Sequence, residues 1–219
     1  MLTRLIVTFC FSAGLTGAIA SAETPPREFS ADIISRDAAG SVIGAARLYA
    51  ANRKVRIESP EASAGYFLID AGTAVFVRPA QKVFMGAGQS TRLSQLFIPV
   101  DANAPCLQWQ AAAKDAGAPE AGGDWRCERV ATDMIGGRVT LEYRLLSPLA
   151  QSGQRWIDAD LEFPIKLRAA DGATIALEHV HFEPQPASLF AIPPEFRRLE
   201  PKSIVDRVKH SDVWAEPPK

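Results

Sequence analysis

Period-two alternation constrains this chain more than any other feature. In Arg138-Val139-Thr140-Leu141-Glu142-Tyr143-Arg144-Leu145, an extended backbone places Val139, Leu141, Tyr143 and Leu145 on one face and polar residues on the other. That pattern predicts a half-buried strand. Leu161-Glu162-Phe163-Pro164-Ile165-Lys166-Leu167-Arg168 repeats it, with Pro164 on the polar side, as at a sheet edge or bulge. Lys54-Val55-Arg56-Ile57-Glu58 repeats it once more.

Turn signals separate such runs: Asp37-Ala38-Ala39-Gly40, Ala51-Asn52, Asp70-Ala71-Gly72, Arg78-Pro79, Gly136-Gly137 and Asp171-Gly172. Strands are predicted near 28–36, 42–50, 53–59, 65–70, 73–78, 82–86, 127–134, 138–146, 153–158, 161–169, 173–183 and 188–192. Hairpin succession makes them one long, curved antiparallel meander. The region from about 90 to 124 departs from this pattern as a helical insertion. Ser90 to Phe97 forms a short helix with Leu93, Leu96 and Phe97 on one side, Pro105 to Lys114 a second, and Gly117 to Gly123 a loop. Ile192-Pro193-Pro194 ends the last strand, and 201–219 holds a short helix, Ser203 to Lys209, and a polar tail.

The first 22 residues read as a cleavable signal peptide, with Arg4 before an apolar stretch and Ala20-Ser21-Ala22 as the small-residue cleavage pattern. Ser12, Gly14, Thr16 and Gly17 interrupt the stretch, which argues against a membrane anchor. The expected location is therefore the periplasm. The remaining residues, 23–200 as one domain followed by the tail, are enough for a sizeable core. Formal net charge is −1, both signs are scattered, and no basic run suits a nucleic acid or an anionic membrane. Cys10 leaves with the leader. Cys106 and Cys127 then face an oxidising compartment, where they are expected to pair and close a loop of about 20 residues, stapling the insertion to the sheet.

Several stretches, in order, resemble the periplasmic lipoprotein-carrier superfamily of LolA and LolB, which includes sigma-factor regulators on the same half-barrel. Phe29-Ser30-Ala31-Asp32 is similar to its opening strand, and Gly44 to Arg56 to its Gly-x-Leu-aromatic hairpin and basic turn. Asp70-Ala71-Gly72-Thr73-Ala74-Val75-Phe76 resembles its Asp-Gly turn, and Trp156-Ile157-Asp158 followed by Leu161 to Lys166 its Trp-x-Asp and Pro-hydrophobic-Lys pair. Phe190-Ala191-Ile192-Pro193-Pro194 resembles its terminal signature. The resemblance implies a mainly β fold: a strongly curved antiparallel sheet, an incomplete β-barrel, with short helices covering a concave face that holds acyl chains or other hydrophobic ligands without catalysis. Two departures, no long helix before Phe29 and no proline beside Arg53, point to a paralogous role rather than lipoprotein carriage.

The expected cavity liners are Val55, Ile57, Phe67, Ile69, Val75 and Val77, taken as one parity along successive strands, with Leu93, Leu96 and Phe97 as a lid and Arg53 in ligand handling. A filled core uses the same residue types, so a protein-interaction or sensor module docking an envelope partner is the rival reading. His179-Val180-His181 would put two imidazoles on one strand face, with Glu183 nearby, yet a solvated strand face beside Glu183 is the preferred reading and no metal or other cofactor is expected. No Gly-x-Ser-x-Gly elbow, free thiol or phosphate loop supports an enzyme. Asp158 and Asp160 read as turn-capping residues rather than an acid–base pair, and Trp109 and Trp125 as packing beneath the disulfide loop rather than a recognition patch.

Overall fold

The computed structural model describes residues 27–58, 65–70, 73–87, 97–115, 125–146 and 153–200. The signal peptide, the Ser90 helix with Leu93 and Leu96, the Gly117–Gly123 loop and the tail helix lie outside these residues. Among the described residues, twelve strands form one open, curved sheet that does not close into a barrel, as the resemblance implies. They are β1 (Phe29–Arg36), β2 (Val42–Ala51), β3 (Lys54–Glu58), β4 (Tyr66–Asp70), β5 (Thr73–Arg78), β6 (Val83–Gly86), β7 (Arg126–Ile135), β8 (Arg138–Leu146), β9 (Gly153–Asp158), β10 (Phe163–Arg168), β11 (Thr174–Phe182) and β12 (Arg197–Arg198). The helix over Pro105–Asp115, α1, starts on the proline that the sequence suggests.

The sheet is not a single meander. Its order is β12-β6-β5-β4-β3-β2-β1-β11-β10-β9-β8-β7, so β1 pairs with both β2 and β11 and joins two meanders. The two-residue edge strand β12, parallel to β6, carries no alternation in Arg197-Arg198 and has no counterpart in the predicted strands. Conversely, the strand expected at 188–192 is a 3₁₀ turn over Ala187–Phe190, in which the Leu189 N–H donates to the Pro186 carbonyl. Pro186 and Pro193 flank this segment and cannot donate to a strand ladder. At Pro164 the β9–β10 register shifts, which is the bulge its position suits.

The concave face carries the main core. Phe29, Ala31, Ile33, Leu48, Ala50, Val55, Ile57, Phe67, Ile69, Phe163 and Leu167 pack there across β1–β4 and β10. A second cluster, Trp109, Leu141, Tyr143, Leu145 and Ile157 with Val100 and Ala102, seats α1 over β8 and β9. The Cys106–Cys127 disulfide ties α1 to β7, with the Cα atoms 5.6 Å apart, as expected.

β4 is buried on both faces. Its Tyr66 and Leu68, with Val75 and Val77 of β5, face away from the main core and are covered by Ile192 and Phe196 of the returning chain. Arg56 fixes that return: its guanidinium lies 3.5 Å over the Tyr66 ring and donates to the Leu189 carbonyl at 2.9 Å.

Candidate functional site

Val55, Ile57, Phe67 and Ile69 occur together on the concave face, where their exposure runs from 0% to 9%. Val75 and Val77 do not join them. Asp70 pairs directly with Thr73, so the two-residue turn sets Phe67 opposite Phe76 and Ile69 opposite Ala74. Paired residues share a face, and the inward parity therefore changes from odd on β4 to even on β5. Ala74 and Phe76 take the inward places assigned to the valines. Phe97 is also no external lid: it is fully buried in the main core, stacked on Phe163 at 6.4 Å and 14° between planes.

An open-sided pocket of about 310 Å³ occurs at the β2–β3 turn. Phe29, Ala50, Ala51, Leu161 and Phe163, with Pro99, supply its apolar part. Phe29 and Phe163 meet edge to face at 5.4 Å, so this floor is the end wall of the main core. Arg27, Asn52, Arg53, Lys54 and Glu162 form the polar rim. Arg27 pairs with Glu162, and Lys54 with Asp70 at 3.3 Å. Arg53 is exposed and, among the described residues, makes no ion pair or side-chain hydrogen bond.

Local sequence explains the turn only partly. Asn52 and Arg53 have φ of 50° and 65°, the double left-handed form of a tight hairpin. Asparagine tolerates that form, and glycine is usual at the second place. An arginine there costs roughly 1 kcal/mol in backbone strain. Of the expected site residues, only Arg53 belongs to the pocket. The other liners were missed because they come from the ends of β1 and β2 and from the segment before β10, which no single periodic run unites.

The outward face is polar and cross-linked. Arg47 bridges Asp32 at 2.7 Å and Ser30 at 2.7 Å, and Arg36 reaches Glu178 with both terminal guanidinium nitrogens. The Arg47 hydrogen bond, assisted by one from His179, lowers the Asp32 pKa; Arg36 does the same to Glu178. His179 is committed to Asp32 at 3.0 Å, and a bulge breaks the spacing that would align it with His181. Among the described residues no group of three His, Cys, Asp or Glu side chains could hold a metal. Asp158 is a turn cap: its Oδ1 accepts from the Asp160 and Leu161 N–H groups at 3.0 Å, and Arg138 closes over it. Trp109 is buried and Trp125 partly so, which places both in packing.

No helix among the described residues is long and apolar enough to cross a membrane. No family model and no curated protein matches the sequence. Among solved structures the fold is similar to PNGF-II, with TM-score 0.50 and 8% identity over 84% of this chain and 33% of that one. It is also similar to the Pseudomonas aeruginosa MucA/MucB complex (TM-score 0.38, 14% identity, 75% and 55% covered) and to the LolA superfamily protein NE2245 from Nitrosomonas europaea (TM-score 0.34, 13% identity, 76% and 91% covered). The chain thus spans one third of PNGF-II and little more than half of the MucA/MucB chain. At 8% identity the likeness to PNGF-II concerns the fold alone.

Proposed function

We propose that the protein is a periplasmic binding or carrier protein for a hydrophobic ligand, a lipid or acyl chain, and performs no catalysis. The observation that carries this reading is the pocket at the β2–β3 turn, where an apolar floor continuous with the core meets a rim bearing Arg27, Arg53 and Lys54 against the single acid Glu162. An amphiphile matches that arrangement. Its chain would cover Phe29, Leu161 and Phe163, and its head would meet the rim. The volume stands at the lower end of the range for ligand pockets. Arg53 supports the reading independently, because a strained, unpaired arginine at a position suited to glycine has no packing role to offset its cost.

Native mass spectrometry with organic extraction, on protein purified from an exporting cell without detergent, tests the proposal. A lipid at defined stoichiometry is the expected result, and a bare chain would contradict it. Arg53→Gly separates binding from folding: relief of strain should leave stability unchanged or raised by about 1 kcal/mol while retention falls.

One observation favours the rival interaction module. Val55, Ile57, Phe67 and Ile69 are packed among themselves and with Phe97 rather than lining an open volume. In that reading the core is complete, no lipid co-purifies, and an envelope protein docks on the outside.

A further inference from the structure

Inside the exposed Arg129 at the β7 edge, one further cation breaks the apolar character of the concave face. Across β8, β9, β10 and β11 the row Tyr143, Arg155, Leu167, Ile175 shares the inward side, since each member pairs directly with the next. At the inward positions of β1–β4 and β8–β11 described here, Arg155 is the sole charged residue. It lies at the seam between the two core clusters, Leu167 belonging to one and Tyr143 to the other.

Its guanidinium is stacked 4.3 Å over the Trp109 ring of α1. Among the described residues no carboxylate, carbonyl or hydroxyl accepts from it. The neighbouring Tyr143 hydroxyl donates to the Ala102 carbonyl at 2.6 Å and accepts nothing from Arg155. Burial, with no charge or hydrogen bond opposing it, lowers the arginine pKa to about 10, so the group remains cationic at neutral pH. Trp109 adds a second, independent sign: its indole is 2% exposed, yet Nε1–H has no acceptor either. The Arg155 cation and the orphaned indole N–H thus lie stacked together against α1, two donors for which the described residues supply no acceptor. The Arg155 side chain is half-buried, so stacking on the ring and its remaining contact with water together compensate only part of the desolvation. A neutral side chain would pack there at lower cost.

We propose that Arg155 and the Trp109 indole N–H form an oxyanion site under α1, which takes a carboxylate or phosphate group. This site is separate from the pocket at Arg53: Leu167, its neighbour, is four residues along β10 from Phe163, roughly 13 Å. It does not rest on the carrier reading. The oxyanion is supplied either by the head of an amphiphile or by a free anion, and the same recognition chemistry serves both.

The test is calorimetric titration of the oxidised full chain with laurate, dodecanol, acetate and inorganic phosphate at constant ionic strength, for the wild type, Arg155→Met and Arg155→Lys. The expected result is laurate binding at least about tenfold weaker in Arg155→Met, intermediate in Arg155→Lys, with dodecanol insensitive to either change. Phosphate or acetate binding that needs Arg155, without added affinity for laurate, would support the site, identify a free anion as its occupant and remove support for the lipid carrier. Laurate binding equally to wild type and Arg155→Met would overturn the site and leave the carrier reading intact. Absence of binding by every probe to the wild type would overturn both. Arg155→Met should also fold at least as well as wild type without ligand. A variant that is unfolded or clearly less stable would show that Arg155 serves packing on Trp109, and would overturn the assignment.

Discussion

Phe97→Ala decides whether the segment before α1 is a lid or part of the core. Phe97 has no exposed surface and is stacked on Phe163, which in turn meets Phe29 edge to face. Removal of such a ring forfeits its transfer free energy and leaves a void bounded by aromatic walls, together about 3–5 kcal/mol. With a urea dependence of about 2 kcal/mol per molar, the unfolding midpoint should fall by about 2 M at unchanged slope. That is a large fraction of the stability of an ordinary domain. Phe97→Leu, which keeps most of the volume, should cost under about 1.5 kcal/mol. Urea titration followed by circular dichroism measures both. A midpoint shift below about 0.5 M for the alanine variant would mean that the ring contributes little to the core, and would restore the lid.

Removing both cysteines, Cys106→Ser with Cys127→Ser, releases a 21-residue separation, and the chain-entropy model gives a loss of about 3 kcal/mol; equal protease resistance of reduced and oxidised protein would refute the staple. Asp158→Ala strands the partly buried Arg138 and two turn N–H groups, so a loss of about 3 kcal/mol is expected, with Asp158→Asn, which keeps the turn acceptor, milder in the same thermal melt. Asp32 and Glu178 have lowered pKa values in the fold, because Arg47 and Arg36 respectively donate to them. Their stabilisation is complete above the unfolded carboxylate range and is lost as pH falls through the lowered folded values. The urea midpoint should accordingly decline below about pH 4, less steeply in Arg47→Gln with Arg36→Gln, and a midpoint flat down to pH 2 would contradict the assignment.

Strands were legible wherever one face met water, as Arg138 to Leu145 shows, because burial on one side alone imposes the alternation. Legibility failed where that condition lapsed. Tyr66-Phe67-Leu68-Ile69 is buried on both faces, since the chain from Ile192 to Phe196 covers the outer one, and a continuous apolar run cannot reveal which parity points inward. The inward face of β5 follows from the number of turn residues: two between Asp70 and Thr73 exchange the parity, which assigns Ala74 and Phe76 rather than Val75 and Val77 to the core. The local chain around Arg155 is an ordinary strand, with the cation on the side of Ile157. Only the packing of α1 across β8 and β9, fixed by Trp109 and the disulfide, covers that side. Arg53 was legible as a basic turn residue, but its left-handed backbone and its apolar neighbours from β1 and the segment before β10 are products of the folded sheet.

The packed state of the concave face sets the terms on which the two functional readings compete. A ligand larger than the pocket of about 310 Å³ must displace core side chains, and Phe97, which enters from outside the strands, is the one whose withdrawal opens the space beside Phe29 and Phe163. Apolar cavities of this kind take up apolar molecules. If the protein is a carrier, Phe97→Ala should bind a fatty acid at least as tightly as the wild type, and saturating ligand should recover part of the lost stability, about 2.7 kcal/mol at a hundred times the dissociation constant. If the core is a finished one serving a docking surface, the same variant is merely less stable, and no fatty acid restores it. Thermal melts of the two proteins with and without laurate discriminate these outcomes, because only the carrier couples the void to a ligand.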